Sequence, residues 1–373
     1  MTSKVYFTDL RTKRGSNLLQ KLERLILAAG FADIDFGDKF TAIKLHLGEP
    51  GNLGYLRPNF AKVVADLVKS RGGRPFLTDA NTLYAGRRKN ALDHLEAACE
   101  NGYNPLTTGC QVIIADGLKG TDDVAVPVQG GRLVREAKIG RAIMDADVLV
   151  SLSHFKGHES TGFGGAIKNL GMGSGSHAGK LEMHSDGRLK VDPEKCRGCR
   201  ACVKDCGQGA IGLDSRGRAV IRQDKCAGCG RCLGACRFGA IRFQWTSAKD
   251  VLNQKIAEYA KAVVQDRPSF HISLVIDISP SCDCMPFNDL PIIPDVGFLA
   301  SFDPVALDQA CADLACAQPV IPGSKGAECP ADPEHPGQDH FCRVNPGTDW
   351  RTCLEHGEKI GLGSRKYELI RVE

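Results

Sequence analysis

The chain has 373 residues, of which 42% are hydrophobic and 25% are charged, and its formal net charge is +4. These values are those of an ordinary soluble globular protein, long enough for a sizeable core and one to three domains. No stretch approaches the roughly 20 apolar residues of a membrane span, and residues 1–17 are polar, without the apolar segment of a secretory signal. We therefore expect a cytoplasmic protein whose 17 cysteines are metal ligands and buried thiols, not the disulfides of a secreted scaffold.

Strand and helix patterns alternate on both sides of a cysteine-rich centre. Strands are predicted at 41–47, 74–78, 111–115, 148–155, 271–278 and 367–372. Helices are predicted at 58–71, 87–101, 138–146, 251–265, 304–316 and 350–360, with a long surface loop at 318–346. This alternation predicts an α/β fold with a largely parallel sheet covered by helices.

The cysteine-rich centre contains two copies of one motif, C-x2-C-x2-C-x3-C. The copies are Cys196, Cys199, Cys202 and Cys206, and then Cys226, Cys229, Cys232 and Cys236. Three thiolates at this spacing bind one [4Fe-4S] cluster, and the fourth cysteine reaches the neighbouring cluster. The predicted ligand sets are Cys196, Cys199, Cys202 and Cys236 for one cluster, and Cys226, Cys229, Cys232 and Cys206 for the other.

Two zinc sites are the alternative, since C-x2-C pairs also bind zinc. Zinc needs four ligands, however, and does not require two identical runs of four cysteines. Residues 188–245, here called the cysteine module, resemble the bacterial two-cluster ferredoxins, except that Gly207 and Arg237 stand where those proteins usually have proline. The α/β pattern resumes after the module. We therefore expect a small α+β ferredoxin-like insert between two parts of one α/β domain, residues 1–187 and 246–373. Because exposed clusters are usually oxygen-labile, an anaerobic or facultative host is expected.

The cysteine module is basic. Residues 186–245 contain 13 Lys or Arg and six Asp or Glu, a formal charge of +7 before clusters are counted. These cations either offset the negative charge of the clusters or dock an acidic redox partner or an anionic substrate, in a contact that salt weakens. Nucleic-acid binding is not expected, because aromatic residues are not interleaved with the basic ones.

Polar side chains follow three of the predicted strands, where ligands gather in a parallel α/β sheet. Each group alone is as compatible with helix capping or solvent exposure as with function, but three groups at one sheet edge predict a shared cleft. With a lysine from a later glycine-rich run, they are the candidates for binding charge and transferring protons. These candidates are Lys44, His46, Asp79, Asn81, His154, Lys156, His158 and Lys168.

The glycine-rich run spans residues 162–177 and contains Lys168. Glycines at a helix entrance let backbone N–H groups approach an anion, so the run predicts a carboxylate- or phosphate-binding loop. A tightly packed turn is the alternative. The run is neither a Walker A loop nor a clean dinucleotide fingerprint.

Cys282 and Cys284 directly follow the predicted strand at 271–278. Two thiols at this spacing are compatible with a third metal or iron–sulfur cluster, with a redox dithiol, and with packing in the core. The cysteines that follow them show no ligand spacing. They are Cys311, Cys316, Cys329, Cys342 and Cys353.

Several segments together resemble the family named domain of unknown function 362. They are residues 154–158 (HFKGH), 161–173, 282–284 (CDC), 295–308 and 361–363 (GLG). Many members of that family carry an inserted two-cluster ferredoxin module, so the resemblance implies iron–sulfur binding and electron transfer without a settled reaction.

Three functions fit these patterns. The leading hypothesis is an iron–sulfur protein that passes single electrons through two [4Fe-4S] clusters, to or from a site in the α/β domain or a redox partner. The second is an oxidoreductase with a small anionic substrate at the cleft and a third metal or cluster at Cys282 and Cys284. The third is a non-catalytic redox subunit or maturation factor that docks on an acidic partner.

Overall fold

The structure is a computed structural model, and it describes residues 2–84, 86–185, 188–243, 247–329 and 339–373. Its strands are β1 (Ser3–Thr8), β2 (Phe40–Lys44), β3 (Arg74–Asp79), β4 (Gln111–Ile114), β5 (Asp123–Pro127), β6 (Glu136–Gly140), β7 (Val148–His154), β8 (Lys156–His158), β9 (Gly162–Gly164), β10 (Leu189–Val191), β11 (Ile211–Leu213), β12 (Ala219–Ile221), β13 (Ile241–Phe243), β14 (Ser269–Val275), β15 (Gly297–Ser301) and β16 (Tyr367–Arg371).

The helices follow the same chain order. They are α1 (Leu18–Ala28), α2 (Pro58–Ser70), α3 (Ala91–Glu100), α4 (Pro105–Thr108), α5 (Arg141–Met144), α6 (Ala166–Ser174), α7 (His177–Ser185), α8 (Ala201–Asp205), α9 (Arg231–Ala235), α10 (Lys249–Val264), α11 (Pro304–Cys316), α12 (Lys325–Glu328), α13 (His340–Val344) and α14 (Arg351–Lys359), with a 3-10 turn at Phe31–Asp33. Within the described ranges, no helix is both long and apolar enough to cross a membrane.

Eight strands form the central sheet, in the order β16-β1-β15-β14-β7-β2-β3-β4. β1 pairs in parallel with β16, and β14, β7, β2, β3 and β4 pair in parallel one after another. β15 is antiparallel to both of its neighbours, β1 and β14, so the other seven strands run in one direction. The sheet is largely parallel and covered by helices, which confirms the predicted α/β fold class.

Apolar clusters cover both faces of this sheet. Along β7, Leu149 belongs to one cluster and Val150 to the other, because successive side chains of a strand point to opposite faces. Ile256 of α10 and Val305 of α11 pack in the first cluster, and Leu22 of α1 packs in the second. With both faces buried, the charged side chains of β2 and β3 stand at the ends of these strands.

The two cysteine motifs have the same local structure. In each, a residue with left-handed φ, Arg200 or Gly230, precedes a short helix that carries the third cysteine, Cys202 or Cys232. Around α8 and α9 the chain forms two small sheets, β10 with β13 and β11 with β12. The predicted module boundaries fall at residues outside the described ranges, so the division into an α/β domain and an insert stays a prediction.

Several element predictions require correction. The predicted helix at 138–146 begins as a strand. Ala137 and Ile139 point into the core while β6 pairs with β5, and helix α5 follows.

The sequence patterns did not predict β1, α1 and β15. β15 is buried along its whole length, and a short, fully apolar segment has no alternation to detect. The predicted loop at 318–346 contains α12 and α13, while its residues 330–338 lie outside the described ranges.

Most of the glycine-rich run forms α6. Its glycines permit close packing, since a Cβ at Gly171 would lie 2.1 Å from the carbonyl oxygen of Ile256 in α10. At the helix entrance, the backbone N–H groups of Ala166 and Ile167 donate to Asp308 over 2.7 and 2.9 Å. The carboxyl group at this helix N-terminus therefore belongs to the protein itself, so the backbone N–H groups of the run do not form the predicted carboxylate- or phosphate-binding loop there. Lys168 of the same run lines the cavity described below.

Candidate functional site

A buried cavity of about 50 Å³, here called the cleft cavity, lies at the carboxyl edge of the parallel strands. β2 ends in Lys44, β3 in Asp79 and β7 in His154, and the Cys282–Cys284 segment follows β14. Parallel strands end at one edge of the sheet, so these side chains become neighbours. The charged and titratable side chains that line the cavity are Lys44, His46, Asp79, Tyr84, Arg88, His154, Lys156, Lys168, Lys180 and Cys284.

The structure places most of the predicted candidates at this cavity. His158 lies behind it, within hydrogen-bonding reach of Cys282. Asn81 has a different role, because its side-chain amide donates to Asp116 over 2.8 Å and to the Gly117 carbonyl over 2.9 Å. Those that line the cavity are Lys44, His46, Asp79, His154, Lys156 and Lys168, and the sequence candidates lacked Tyr84, Arg88 and Lys180.

Lys44 and Asp79 form a buried ion pair. Lys44 Nζ lies 2.9 Å from Asp79 Oδ1 and donates to Asn169 Oδ1 over 2.8 Å. Arg88, also buried, donates through Nε to Glu49 over 2.7 Å and lies 3.6 Å from Asp79. Burial alone would raise the pKa of Asp79, but Lys44 and the other cations outweigh it and hold the pKa below its usual range. Asp79 is therefore a fixed counter-ion and not a proton acceptor at neutral pH.

Asp283 is a second fixed counter-ion. His154 Nδ1 lies 3.0 Å from the Asp283 carboxylate, and His154 Nε2 lies 2.7 Å from the Ile276 carbonyl oxygen. Lys156 Nζ lies 3.6 Å from the same carboxylate. Both ring nitrogens of His154 are therefore engaged by oxygen atoms of neighbouring groups. In this arrangement His154 holds Asp283 in place and is not free to act as a base.

His46 has an unpaired nitrogen beside the cavity. Burial, with Arg88 nearby, holds the pKa of His46 well below its usual value, so the ring is neutral. His46 Nδ1 accepts from the Gly48 backbone N–H over 3.0 Å, which leaves the proton on Nε2. Among the described residues, Nε2 has no hydrogen-bond partner. A buried donor without a hydrogen-bond partner costs about 1–3 kcal/mol of folding free energy. A ligand or water that accepts a hydrogen bond from Nε2 would therefore be stabilised there.

Although Glu49, Asp283 and Cys282 pair with three of its cations from outside, cationic side chains dominate the lining of the cleft cavity. Lys180 of α7 is part of it: burial, opposed by Asp116 and Asp79, lowers the pKa of Lys180 to about 8. Lys180 therefore remains mostly protonated at pH 7. Five cations and, among the described lining residues, one carboxylate face the cavity: Lys44, Arg88, Lys156, Lys168, Lys180 and Asp79. This balance favours a small anion.

Cys282 and Cys284 lie on the same side of the cavity as Lys168. Lys168 Nζ donates to Cys282 Sγ over 3.0 Å, and the Cys284 backbone N–H approaches the same sulfur at 3.5 Å. A hydrogen bond from the Cys284 thiol, with help from Lys168 and His158 and against burial, lowers the pKa of Cys282 well below its usual value. The same pairing raises the pKa of Cys284. The geometry is that of a thiolate beside a thiol.

The eight cysteines of the cysteine module lie in two groups. The neighbours of Cys202 include Cys196, Cys199 and Cys236. Those of Cys232 include Cys226, Cys229 and Cys206, and also Cys202 of the first group. In each group, three cysteines come from one motif copy and the fourth comes from the other. Burial and then the neighbouring thiols raise the pKa of Cys232 to about 12, because thiolates this close repel one another unless a metal centre binds them.

The surroundings of these sulfurs fit iron–sulfur clusters. The four cysteines of the first group line a cavity together with apolar residues such as Leu213 and Ile241. Backbone N–H groups donate to Cys196, Cys206 and Cys236, each over 3.3 Å, and such bonds stabilise cluster thiolates. In the described part of the chain, no three His, Cys, Asp or Glu side chains converge closely enough for a single metal ion.

The cysteine module packs directly against the cleft. Leu83 and Tyr84, which follow β3, join the module's apolar core beside Cys202 and Cys232. The Tyr84 hydroxyl also lies within hydrogen-bonding reach of Cys284. Tyr84 therefore lies between the two regions, with its ring in the core of the module and its hydroxyl near Cys284.

Helix α7 makes a second connection between the module and the cleft. A Cβ at Gly230, beside Cys232, would lie 2.7 Å from the Cβ of His177, so the module and α7 are in close contact there. One turn later, Lys180 lines the cleft cavity. An ion pair of 2.6 Å between Lys119 and Asp205 adds a polar contact across the same interface.

Comparison with known proteins identifies the family. The family model described as Domain of unknown function (DUF362) matches residues 41–313. Thylakoid-associated protein sll1697 from Synechocystis sp. is 29% identical over 127 residues, which cover 32% of this chain and 34% of that protein. The match thus spans about a third of that relative's length.

Two solved structures are also similar. The lactate racemase apoprotein from Thermoanaerobacterium thermosaccharolyticum has a TM-score of 0.35 and 12% identity, covering 74% of this chain and 51% of that one. A protein from Thermotoga maritima has a TM-score of 0.41 and 13% identity, covering 82% and 59%. The family match spans most of the chain and includes the residues of the cleft. This chain belongs to the family of domain of unknown function 362.

Proposed function

We propose that this protein transfers electrons through two [4Fe-4S] clusters bound by the cysteine module. The observation that carries the proposal is the exchange of fourth cysteines, which sets Cys236 beside Cys202 and Cys206 beside Cys232. Two-cluster ferredoxins require this exchange. The ligands would be Cys196, Cys199, Cys202 and Cys236 for one cluster, and Cys226, Cys229, Cys232 and Cys206 for the other.

The cleft cavity is the proposed internal partner of the clusters. Tyr84 supports this, because it packs with the module core and reaches Cys284. Helix α7 provides a second short connection, from the module at His177 to the cavity at Lys180. Electrons entering the module would thus be close to a buried site with its own charged and thiol groups.

A second candidate function is reduction or oxidation of a small anion at the cleft. It is favoured by the cationic lining of the cavity and by the unpartnered Nε2 of His46. Lys44, Lys156 and Lys168 would bind and orient the anion, and Asp79 and Asp283 would keep those cations in place. A carboxylate- or phosphate-sized substrate would meet these requirements.

The external redox partner is proposed to be an acidic protein. A groove of about 760 Å³ lies at the junction of the module and the α/β sheet, next to Cys236. Its basic lining residues are Lys89, Lys119, Lys195, Lys204 and Arg237. A cytoplasmic electron carrier with an acidic surface would be drawn to this groove. If the cleft has no substrate, the protein would act as a redox subunit for that partner.

Metal analysis of anaerobically purified protein tests the proposal. We expect about eight irons and eight acid-labile sulfides per chain, since each cubane contains four of each. Cys206→Ser should lower both counts towards about four, whereas Cys99→Ser, which changes an exposed cysteine outside the module, should leave them unchanged. Zinc without sulfide would overturn the proposal.

A further inference from the structure

The Cys282–Cys284 pair is folded into a tight turn. The Met285 backbone N–H donates to the Cys282 carbonyl over 3.0 Å, which closes a β-turn that includes both cysteines. The turn brings the Cys284 backbone nitrogen to 3.5 Å from Cys282 Sγ, and the two thiols lie within hydrogen-bonding reach of each other. A disulfide needs two cysteines held close together in the chain fold, and the turn meets that requirement by placing the Cys284 backbone beside the Cys282 sulfur.

The groups around Cys282 stabilise a thiolate. Lys168 Nζ lies 3.0 Å from its sulfur, and His158 is within hydrogen-bonding reach. Further titratable groups near the pair are Glu159, Tyr84 and His46. Among the described residues, no third ligand joins the two thiols closely enough to hold one metal ion.

The pair is also connected to the cysteine module. Tyr84 packs in the module's apolar core with Cys202 and Cys232, and its hydroxyl reaches Cys284. Cys284 in turn lines the cleft cavity. A thiol pair in this position has the clusters of the proposed function on one side and the cationic cavity on the other.

We propose that Cys282 and Cys284 form a redox-active dithiol that exchanges electrons with the two clusters. On oxidation, the Cys282 thiolate and the Cys284 thiol form one S–S bond, two electrons leave, and the Cys284 proton passes to solvent in the cleft cavity. Each oxidised cluster accepts one of the two electrons. The electron exchange rests on the proposed function, whereas the dithiol itself does not. In the reverse direction, the disulfide would accept one electron from each cluster. The reduced pair could then pass two electrons together to a small substrate, whose reduction usually requires two.

Thiol trapping tests the dithiol independently of the clusters. The complete anaerobic protein is equilibrated with mixtures of reduced and oxidised dithiothreitol, quenched with acid, labelled with N-ethylmaleimide and analysed by tandem mass spectrometry. We expect label on both cysteines in reducing mixtures. In oxidising mixtures we expect an unlabelled peptide lighter by two hydrogen atoms. Cys282→Ser should leave Cys284 labelled in every mixture, and Cys99→Ser should behave like the wild type.

Reductive titration tests the connection to the clusters. Oxidised wild-type protein should take up about four electrons, one for each cluster and two for the disulfide, whereas Cys282→Ser should take up about two. About two electrons in both proteins would overturn the exchange.

Other outcomes separate the two proposals. Label on both thiols in every mixture would overturn the dithiol alone. About four irons more in the wild type than in a Cys282→Ser/Cys284→Ser variant would also overturn it, in favour of a third cluster. A disulfide in protein without iron would overturn the proposed function and still support the dithiol.

Discussion

Lys168 Nζ lies 3.0 Å from Cys282 Sγ at the carboxyl edge of the sheet. Lys168 belongs to α6, whose position is set by close packing of Gly171 on α10 and by the bonds from its N-terminus to Asp308. The contact between Lys168 and the Cys282 thiolate therefore depends on the position of helix α6. This dependence links the packing of the fold to the chemistry of the cleft.

Lys168→Met should favour the disulfide of the cysteine pair. The lysine stabilises the thiolate, and a stabilised thiolate makes the reduced form more stable. Loss of a charge-assisted hydrogen bond of about 1.5–3 kcal/mol should shift the exchange equilibrium with dithiothreitol by about tenfold or more. The fraction of disulfide at several dithiothreitol ratios measures the shift. Lys168→Arg, which keeps the charge, is the matched control, and equal ratios for all three proteins would contradict this role.

Gly171→Ala should destabilise the protein. The new methyl group would meet the Ile256 carbonyl oxygen at 2.1 Å, so α6 and α10 would have to separate. Overpacking of this kind costs about 1–3 kcal/mol in the free energy of unfolding. Gly212→Ala, where a Cβ meets no atom within 4 Å, is the control and should change stability much less. Urea denaturation of the anaerobic proteins compares them, and equal midpoints would show that α6 is not tightly packed.

Asp79→Asn should lower the free energy of unfolding more than the loss of a surface carboxylate does. The substitution leaves Lys44 and Arg88 as buried cations without one of their counter-ions, and breaking a buried pair costs about 3–5 kcal/mol. Asp35→Asn, which breaks an exposed pair with Lys39, should lower the free energy of unfolding much less.

The pH dependence of this variant provides a further check. The pKa of Asp79 is lower in the folded protein than its usual value, so its stabilisation is complete above pH of about 4 and decreases as pH falls below that. Asp79→Asn should therefore lose less stability than the wild type on acidification. Denaturant midpoints between neutral and acidic pH measure this difference. Parallel curves for the two proteins would contradict the buried ion pair.

Anion binding in the cleft should weaken as pH rises through about 8. Lys180 has a pKa of about 8, so it is protonated below that pH and loses its charge above it. Formate is a suitable probe, because its own charge is constant from pH 6 to pH 9, and calorimetry measures its affinity. Removal of one charge at the cavity should weaken binding about tenfold. Lys180→Met should bind weakly at all pH values with less dependence on pH, and an unchanged profile would exclude Lys180 from the anion site.

The sequence predicted those site residues that stand at the ends of strands. Lys44, Asp79 and His154 end three parallel strands, and parallel strands finish at one edge whatever their order. Arg88 belongs to the polar stretch after the second predicted strand, but neither Arg88 nor Lys180 is among the predicted site residues. Arg88 lies in an irregular segment and Lys180 on a helix after the glycine-rich run, so tertiary packing alone brings them to the cavity.

The fold shows the same division between local and non-local information. The parallel α/β class follows from the alternation of elements, and the cysteine groups follow from spacing. The order of the strands and the antiparallel β15 do not, because they depend on pairing between distant segments. Gly171 was assigned to a loop because glycine weakens the helix pattern, and its value in helix packing depends on Ile256, 85 positions away in the chain.

The most direct test of the central claim is electron paramagnetic resonance of the anaerobic, dithionite-reduced protein, with the spins counted per chain. Two [4Fe-4S] clusters predict about two spins, with line broadening from two neighbouring centres. Cys236→Ser should remove about one of them and the broadening. A spectrum without cluster signals in protein that contains its full complement of metal would contradict the account.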